Sequence, residues 1–183
     1  MELLQTTLPG CYEIKTNIFC DKRGAFVKTY HDATFTELGL RTDWREEYYS
    51  VSKRGVIRGM HFQHPPMQGA KMIYCLQGTV QDVILDLRIG SPSYRKCVSI
   101  ELSAEKGNIV YIPEGVAHGF CALSEHAIMQ YKVTSTYSPQ HDVGILWNSI
   151  PIAWQCTNPS VSDRDSNFIG LPDFQSPFKY ETT

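Results

Sequence analysis

Between residues 11 and 134, the chain alternates between short runs of β-branched or aromatic residues and clusters of turn-forming or charged residues. The runs predict β-strands, and the clusters between them, such as DKRG, QGT, IGSPS and PEGV, predict turns. Nine strands are predicted, at CYEIKT, AFVKTY, EEYYSVS, KMIYCL, TVQDVILDLR, KCVSIEL, NIVYI, HGFCAL and IMQYKVT. Another is predicted in GVIRGMHFQH, which stops at Pro65 and Pro66. Many short strands with almost no helix are typical of a small antiparallel barrel or jelly roll.

The segment TVQDVILDL indicates how such a barrel is filled. Four of its apolar residues, Val80, Val83, Leu85 and Leu87, are expected to lie mostly on one face. A barrel strand with a filled interior requires this arrangement.

Only one helix is predicted, at about Thr34 to Leu38. The segment TFTE supplies a capping box at its start, and Gly39 supplies a stop. After Trp154 the chain becomes polar and contains several prolines, so an irregular C-terminal tail wrapped on the body is expected. No internal repeat or domain boundary is visible, which predicts a single domain over residues 1–183.

Composition and charge exclude several classes of protein. The net charge of −2 provides no basic field, which argues against nucleic acid as a partner. The chain contains no run of 18 apolar residues and no signal-peptide pattern, so no membrane association and a cytoplasmic location are expected. The six cysteines are scattered without a CxxC pair, which predicts reduced thiols rather than a disulfide framework or a structural zinc site.

Two histidine segments raise the question of metal binding or proton transfer. GNIVYIPEGVAHGF, which contains His118, resembles the second motif of the cupin barrels, and the segment ending in His61 resembles the first half of the other motif. Metal-binding cupins continue that first motif with a second histidine and a glutamate. Here Gln63 takes the histidine's place, no acidic residue follows until Asp82, and His64 should point away from His61 in an extended strand. A metal site and two satisfied core histidines remain alternatives, but a metal-free proton-transfer site is favoured.

A longer set of motifs covers nearly the whole chain. In order, it comprises DKRGAF, SVSKRGVIRGMHFQHPP, GAK, GTVQDVILDLRIGSPSY, YIPEGVAHGF, YKVTSTYSPQHD and PSVSDRD. Together these segments resemble the dTDP-4-dehydrorhamnose 3,5-epimerase family. The resemblance implies a cupin-like jelly-roll barrel and a nucleotide-activated 4-keto-6-deoxyhexose as substrate. It also implies epimerisation without a metal or other cofactor, at C5 and, as an open alternative, at C3.

The resemblance also implies four catalytic roles. His61 matches the base, Asp163 in SVSDRD the carboxylate that orients and charges it, Tyr131 the proton donor on the opposite face, and Lys71 the cation beside the C4 oxygen. The chemistry suits these residue types, because a ketone at C4 acidifies the protons on C3 and C5. Epimerisation then needs a base, an acid on the other face and a cation near the enolate oxygen.

Further positions match the family's substrate-binding residues. Among them, Arg23 and Arg58 match pyrophosphate contacts and Tyr137 matches the ring that stacks on the nucleobase. The full implied set is Arg23, Phe26, Lys28, Glu46, Tyr48, Arg58, Gln63, His118, Tyr137, Asp142 and Arg164. Members of the family are homodimers with exchanged N-terminal strands, so DKRGAFVK is expected to line the neighbour's site.

Three of these positions depart from the family pattern near the nucleobase. Lys28 stands where the family has glutamate, Glu46 where it has glutamine, and Tyr48 where it has asparagine. A lysine that donates to N3 and a glutamate that accepts from the N4 amino group would suit cytosine. The sequence therefore favours a CDP-linked 4-keto-3,6-dideoxyhexose 5-epimerase. The alternatives are a dTDP-linked 3,5-epimerase, a 3,4-ketoisomerase, a metal-dependent oxygenase and a non-catalytic sugar-binding cupin.

Overall fold

A computed structural model describes residues 1–181, whose strands form two large antiparallel sheets and one separate hairpin. The strands are β1 Glu2–Gln5, β2 Tyr12–Lys15, β3 Ile18–Asp21, β4 Gly24–Val27, β5 Glu46–Lys53, β6 Ile57–Gln63, β7 Lys71–Gln77, β8 Thr79–Asp86, β9 Cys97–Ser103, β10 Ile109–Ile112, β11 Val116–Ala122, β12 His126–Val133 and β13 Asp142–Gly144. The short helices are α1 Asp32–Glu37 and α2 Asp163–Ser166, with 3-10 turns at Trp147–Ser149 and Leu171–Asp173.

The strand order confirms an all-β, cupin-like fold. The larger sheet has the order β1-β2-β10-β7-β12-β5, and the smaller has the order β13-β6-β11-β8-β9. Strands β3 and β4 pair only with each other within residues 1–181. In the same part of the chain the two large sheets keep separate hydrogen-bond ladders, so the architecture is a sandwich and not a closed barrel.

Strand β8 is buried on both faces. Val83, Leu85 and Leu87 share one face as predicted, but the expectation that this face fills the interior between the sheets is wrong. Val80 lies in the cluster between the two sheets, whereas Val83, Leu85 and Leu87 lie in a second cluster on the other side. That second cluster includes Phe174 and other apolar residues of the C-terminal segment. Because this segment covers the outer face of the smaller sheet, both faces of β8 require apolar side chains.

Helix α1 begins two residues earlier than the sequence predicts. Its N-cap, His31, makes no side-chain capping hydrogen bond, and the Thr34 hydroxyl instead lies 3.0 Å from His31 Nδ1. The predicted capping box is therefore wrong. The predicted stop is confirmed: Gly39 adopts a φ of 71°, and its N–H donates to the carbonyl of Thr36.

The C-terminal tail contains the second helix, which the sequence analysis missed. Helix α2 follows Ser162, whose hydroxyl accepts a hydrogen bond from the backbone N–H of Asp165. Leu171, Phe174 and Phe178 then pack into the core, so the tail is irregular but anchored. Helix α2 packs against strand β6.

All six cysteines carry free thiols in residues 1–181. A bilayer-spanning helix, long and apolar enough to cross, is not found in that same part of the chain.

Candidate active site

Two adjoining cavities are lined by residues of both large sheets. The outer cavity, of about 340 Å³, includes Glu46, Gln63, Tyr137 and Asp142. The inner cavity, of about 140 Å³, is lined by Tyr48, Ser50, Arg58, His61, Lys71, His118, Phe120 and Tyr131. Tyr48, His61 and Lys71 line both cavities. The space is of the size that small-molecule sites occupy.

Strand register explains why these side chains meet. His61 on β6 lies directly opposite His118 on β11, and Tyr131 on β12 lies directly opposite Tyr48 on β5. Lys71 on β7 lies directly opposite Val133 on β12. Val133 is two positions after Tyr131, so the side chains of Lys71 and Tyr131 point to the same face of the sheet. The smaller sheet therefore contributes the histidines, and the larger sheet contributes the tyrosines and the lysine.

His61 is held by a buried carboxylate. Its Nε2 lies 2.9 Å from Oδ1 of Asp165, whose Oδ2 accepts a hydrogen bond of 3.0 Å from the Gly59 N–H. The Phe168 ring packs against the imidazole edge-on. Burial by itself would raise the pKa of Asp165, but hydrogen bonds from His61 and from the Gly59 N–H lower it below its ordinary value. Since an ionised carboxylate only accepts, Nε2 carries the proton of the neutral ring and Nδ1 keeps the lone pair.

The predicted partner of His61, Asp163, is the wrong aspartate. Asp163 is exposed at the first position of α2, and its backbone carbonyl accepts a hydrogen bond from Asn167. Two residues along a helix correspond to about 200° of rotation, so Asp163 and Asp165 face opposite directions. One signal was available in the sequence: Ser162 and Asp165 have the spacing of a capping box, which places Asp165 at the third helical position.

Lys71 places an ammonium group next to His61 in the inner cavity. Its Nζ donates a 3.0 Å hydrogen bond to the backbone carbonyl of His61. Burial lowers the pKa of Lys71 to about 8, partly opposed by the negative charges of Asp142 and Asp82. The ammonium group is therefore weakly solvated and available to an anion in the cavity.

Tyr131 presents a buried phenol to the inner cavity. Its hydroxyl lies 3.5 Å from the Ser50 hydroxyl, and its ring stacks on Tyr48. Burial raises the pKa of Tyr131 well above its ordinary value, so the phenol stays protonated at neutral pH. Because Tyr131 and His61 line this cavity from different sheets, a proton donor and a proton acceptor can reach two faces of one bound ring.

A second histidine–carboxylate pair lies beside the first. His118 Nε2 lies 2.7 Å from Asp82 Oδ2, and both side chains are buried. The other oxygen of Asp82 has no hydrogen-bond partner within residues 1–181. His118 is visible in the sequence through its cupin-like motif, but its partner Asp82 is not, because the two are 36 residues apart and meet only across β8 and β11.

Three side chains that line the outer cavity are held in place by hydrogen bonds to the backbone or by an ion pair. Glu46 Oε1 accepts a 2.8 Å hydrogen bond from the backbone N–H of Tyr137, whose ring is exposed. Gln63 accepts a 2.7 Å hydrogen bond from the Ser138 N–H. Asp142 forms a 2.7 Å ion pair with Arg164 of α2.

Arg58, in the inner cavity, is oriented by hydrogen bonds to the Ser52 hydroxyl and the Val51 carbonyl. Its guanidinium thus lies next to the cavity with its direction set by β5.

Four of the predicted binding residues do not line these cavities. Arg164 reaches only Asp142 at the edge of the outer cavity, and the other three lie in or next to the hairpin of β3 and β4. Arg23 is the hairpin turn residue and pairs with Asp21, and Phe26 lies on β4 with 61% of its surface exposed. Lys28, just after β4, lines a separate cavity with Phe26. The hairpin thus stands apart from His61 within one chain.

Within residues 1–181, no group of three or more histidine, cysteine, aspartate and glutamate side chains is placed to hold a metal ion. His61 and His118 each direct one ring nitrogen at a carboxylate, and His64 stacks on Phe174.

Comparison with known proteins decides the family. The profile of the dTDP-4-dehydrorhamnose 3,5-epimerase family matches residues 5–173. This chain belongs to that family. A dTDP-4-dehydrorhamnose 3,5-epimerase of Shigella flexneri is 39% identical over 170 residues, which cover 91% of this chain and 94% of that protein. A dTDP-4-dehydrorhamnose 3-epimerase of Streptomyces niveus is 37% identical, covering 94% and 85%.

A solved structure agrees in both fold and coverage. The dTDP-6-deoxy-D-glucose-3,5-epimerase of Legionella pneumophila, in complex with dTDP-4-keto-L-rhamnose, has a TM-score of 0.94 and 29% identity, with 99% of each chain covered. The chain described here is therefore an isomerase, a nucleotide-sugar epimerase. The names of these relatives carry dTDP, so the prediction of a CDP-linked sugar finds no support here and the dTDP alternative is better supported.

Proposed function

We propose that this epimerase acts on a dTDP-linked 4-keto-6-deoxyhexose and inverts C3 and C5. The observation that carries the proposal is the inner cavity, where the pair formed by His61 and Asp165 faces Tyr131 beside the Lys71 ammonium. This set supplies a base, an acid on another wall and a cation, which are the groups that epimerisation next to a ketone requires.

His61 acts as the base. Its Nδ1 removes the proton from the carbon next to the C4 ketone, and the electron pair of the broken C–H bond moves into an enolate. Asp165, already ionised and bonded to Nε2, stabilises the imidazolium that forms. Lys71 stabilises the negative charge that develops on the C4 oxygen. His118, oriented by Asp82, serves as a hydrogen-bonding group for the sugar.

Tyr131 completes the inversion. Its phenol donates a proton to the carbon from the face opposite His61. The resulting phenolate then takes a proton from solvent while the His61 imidazolium releases the proton that it removed to solvent, so both groups return to their starting states. C3 and C5 both flank the ketone, so one base and one acid serve either carbon after the sugar is repositioned. Action at both carbons is proposed from the names of the 3,5-epimerases, since the residues in the cavity do not distinguish the two carbons.

The nucleobase is proposed to be thymine and to lie near Tyr137 in the outer cavity. Within one chain, Lys28 and Glu46 line different cavities, so the pair of residues that favoured cytosine could meet only if a partner's hairpin brought Lys28 to the site. The dTDP in the names of the relatives is what favours thymine. One oxygen of Glu46 is also already used by the Tyr137 N–H. Glu46 therefore acts here as an anchor for the Tyr137 segment.

The test of this function has a binding arm and a turnover arm. We expect calorimetric titration to show tighter binding of dTDP than of CDP by about tenfold or more, because the wrong base leaves polar groups unpaired at roughly 1–3 kcal/mol each. In deuterated water, proton NMR of the dTDP-4-keto-6-deoxy sugar should show deuterium at both C3 and C5.

The two arms contradict different parts of the proposal. Binding of CDP as tight as that of dTDP would restore the cytosine hypothesis and leave the epimerase intact. Deuterium at only one of the two carbons would restrict the reaction to that carbon. A protein that binds dTDP but incorporates no deuterium would be a non-catalytic sugar-binding protein.

We further propose a homodimer in which the hairpin of β3 and β4 reaches the partner's site. The hairpin exposes Ile18, Phe19 and Phe26, of which the two phenylalanines are more than 60% exposed. Its Arg23 matches a pyrophosphate contact yet lies away from the His61 cavity of its own chain. A hairpin supplied in trans would cover the apolar residues and deliver the arginine.

Subunit mixing tests this arrangement. His61→Ala and Arg23→Ala should each be weakly active alone, but their co-expressed mixture should recover about one quarter of wild-type activity, since half of the dimers are mixed and each has one intact site. A mixture no more active than its two parents would mean that Arg23 does not act in trans.

A further inference from the structure

Strand β5 forms one edge of the larger sheet, and four of its residues on one face contact the candidate site. Glu46 bonds to the Tyr137 backbone, and Ser52 bonds to Arg58. Between them, Tyr48 and Ser50 both face Tyr131. These residues recur at every second position, as one face of a strand requires. Strand β5 therefore positions other residues of the site and is not proposed to supply a reacting group.

The contact between Tyr48 and Tyr131 is a nearly parallel stack of the two rings. Tyr48 and Tyr131 lie directly opposite each other on β5 and β12, with ring centroids 4.9 Å apart and planes only 16° apart. Tyr48 is 44% exposed and Tyr131 only 7%, so the Tyr48 ring covers the Tyr131 ring on the side nearer to solvent. Tyr48 also lines both cavities, whereas Tyr131 lines only the inner one.

Core residues between the two sheets also pack against the Tyr131 ring, but its remaining polar and aromatic contacts on the cavity side are loose. Its hydroxyl contact with Ser50, at 3.5 Å, is at the outer limit of hydrogen bonding. The His118 ring approaches it edge-on, with centroids 6.0 Å apart. A phenol that must deliver a proton to one face of a sugar needs a defined ring plane, and the nearly parallel stack on Tyr48 fixes that plane on the more exposed side of the ring.

We propose that Tyr48 is a positioning residue for the reprotonation step, which holds the Tyr131 phenol on the face of the substrate opposite His61. The inference rests on the proposed function. Tyr48 keeps its own phenol protonated as well, because burial and the charges of Asp142 and Glu46 raise its pKa to about 12. The Tyr48 side chain is therefore uncharged at neutral pH where it packs against Tyr131.

The consequence concerns the fate of the enolate. After His61 has taken the proton, the enolate either receives a proton from Tyr131, which inverts the carbon, or recovers one from the His61 imidazolium, which does not. In deuterated water the imidazolium exchanges its proton, so the second route leaves deuterium without inversion. A loosened Tyr131 ring favours that second route and leaves the abstraction step unchanged.

The test compares Tyr48→Leu, Tyr48→Phe and the control Tyr49→Leu. Tyr49 is the next residue on β5, points to the opposite face and is 67% exposed. In Tyr48→Leu, the ratio of exchange without inversion to inversion should rise about threefold to tenfold, the range that corresponds to the loss of one aromatic pair. Tyr48→Phe, which keeps the ring, and Tyr49→Leu should retain the wild-type ratio. Tyr131→Phe sets the upper limit.

Two outcomes of the turnover arm would overturn the inference. An equal loss of exchange and inversion in Tyr48→Leu would mean that Tyr48 binds substrate or supports the fold. The same ratio change in Tyr48→Phe as in Tyr48→Leu would assign the effect to the hydroxyl and not to the stacked ring.

A substrate-free arm separates this inference from the proposed function. The aromatic NMR signals of Tyr131, identified by their loss in Tyr131→Phe, should shift in Tyr48→Leu and stay in place in Tyr49→Leu. Signals that do not move in Tyr48→Leu would overturn the inference whether or not any substrate turns over. Absence of turnover in the wild-type protein would instead count against the proposed function.

Discussion

His61→Ala and Asp165→Asn should each reduce deuterium exchange at C5 of the dTDP-4-keto sugar by a factor on the order of 10² to 10⁴, the usual effect of a positioned acid or base. His61→Ala deletes the base. Asp165→Asn keeps the size of the side chain but removes the charge that stabilises the imidazolium, and its amide can turn an N–H toward Nε2 and reverse the tautomer. Deuterium incorporation measured by proton NMR provides the comparison.

Asp163→Asn is the matched control on the same helix. Asp163 and Asp165 are two residues apart, but only Asp165 is buried and bonded to His61. We expect Asp163→Asn to keep near-wild-type exchange. A large loss in Asp163→Asn together with a small loss in Asp165→Asn would reverse the assignment. Exchange at the wild-type rate in His61→Ala would exclude this histidine as the base.

Lys71→Met should lower kcat by about 10² to 10³, the loss typical of one group that stabilises a developing oxyanion. The wild-type rate should also fall as pH rises through about 8, because burial lowers the pKa of Lys71 to about 8 and the neutral amine no longer stabilises the enolate. In Lys71→Met this alkaline decline should disappear from the residual activity. Rate profiles of the two proteins between about pH 6 and pH 10 test both statements.

The same substitution should not destabilise the fold. Because the pKa of Lys71 is lower in the folded state than its ordinary value of 10.5, the unfolded chain binds more protons between about pH 8 and pH 10.5. The contribution of this group to stability therefore rises with pH through that window. Lys71→Met removes a buried charge and should melt at an equal or higher temperature below pH 8.

Lys106→Met is the corresponding control. Lys106 pairs with Glu101 at the surface, with about half of its side chain exposed, and should affect neither the rate nor the alkaline decline. A Lys71→Met protein with full activity, or with an unchanged decline near pH 8, would mean that Lys71 is not the cation beside the C4 oxygen.

Much of the site could be predicted because it lies on regular strands. His61, Lys71 and Tyr131 sit in β-strands whose alternation and turn residues are visible locally, and their motifs resemble one family throughout the chain. Strand β6 ends at Gln63, before the two prolines, as the sequence predicts. The family, the all-β fold and the meeting of His61, Lys71 and Tyr131 at one cavity therefore agree with short-range patterns, since each pattern depends on residues within one strand or turn.

The remaining assignments depend on contacts between distant segments. Asp165 and His61 are 104 residues apart, and only the direction of α2 against β6 decides that Asp165 and not Asp163 faces the imidazole. The double-sided burial of β8 depends on where the C-terminal segment packs. The stack of Tyr48 on Tyr131 depends on the register of β5 against β12. A local pattern shows which residues share a face, but only tertiary packing determines which neighbour that face meets.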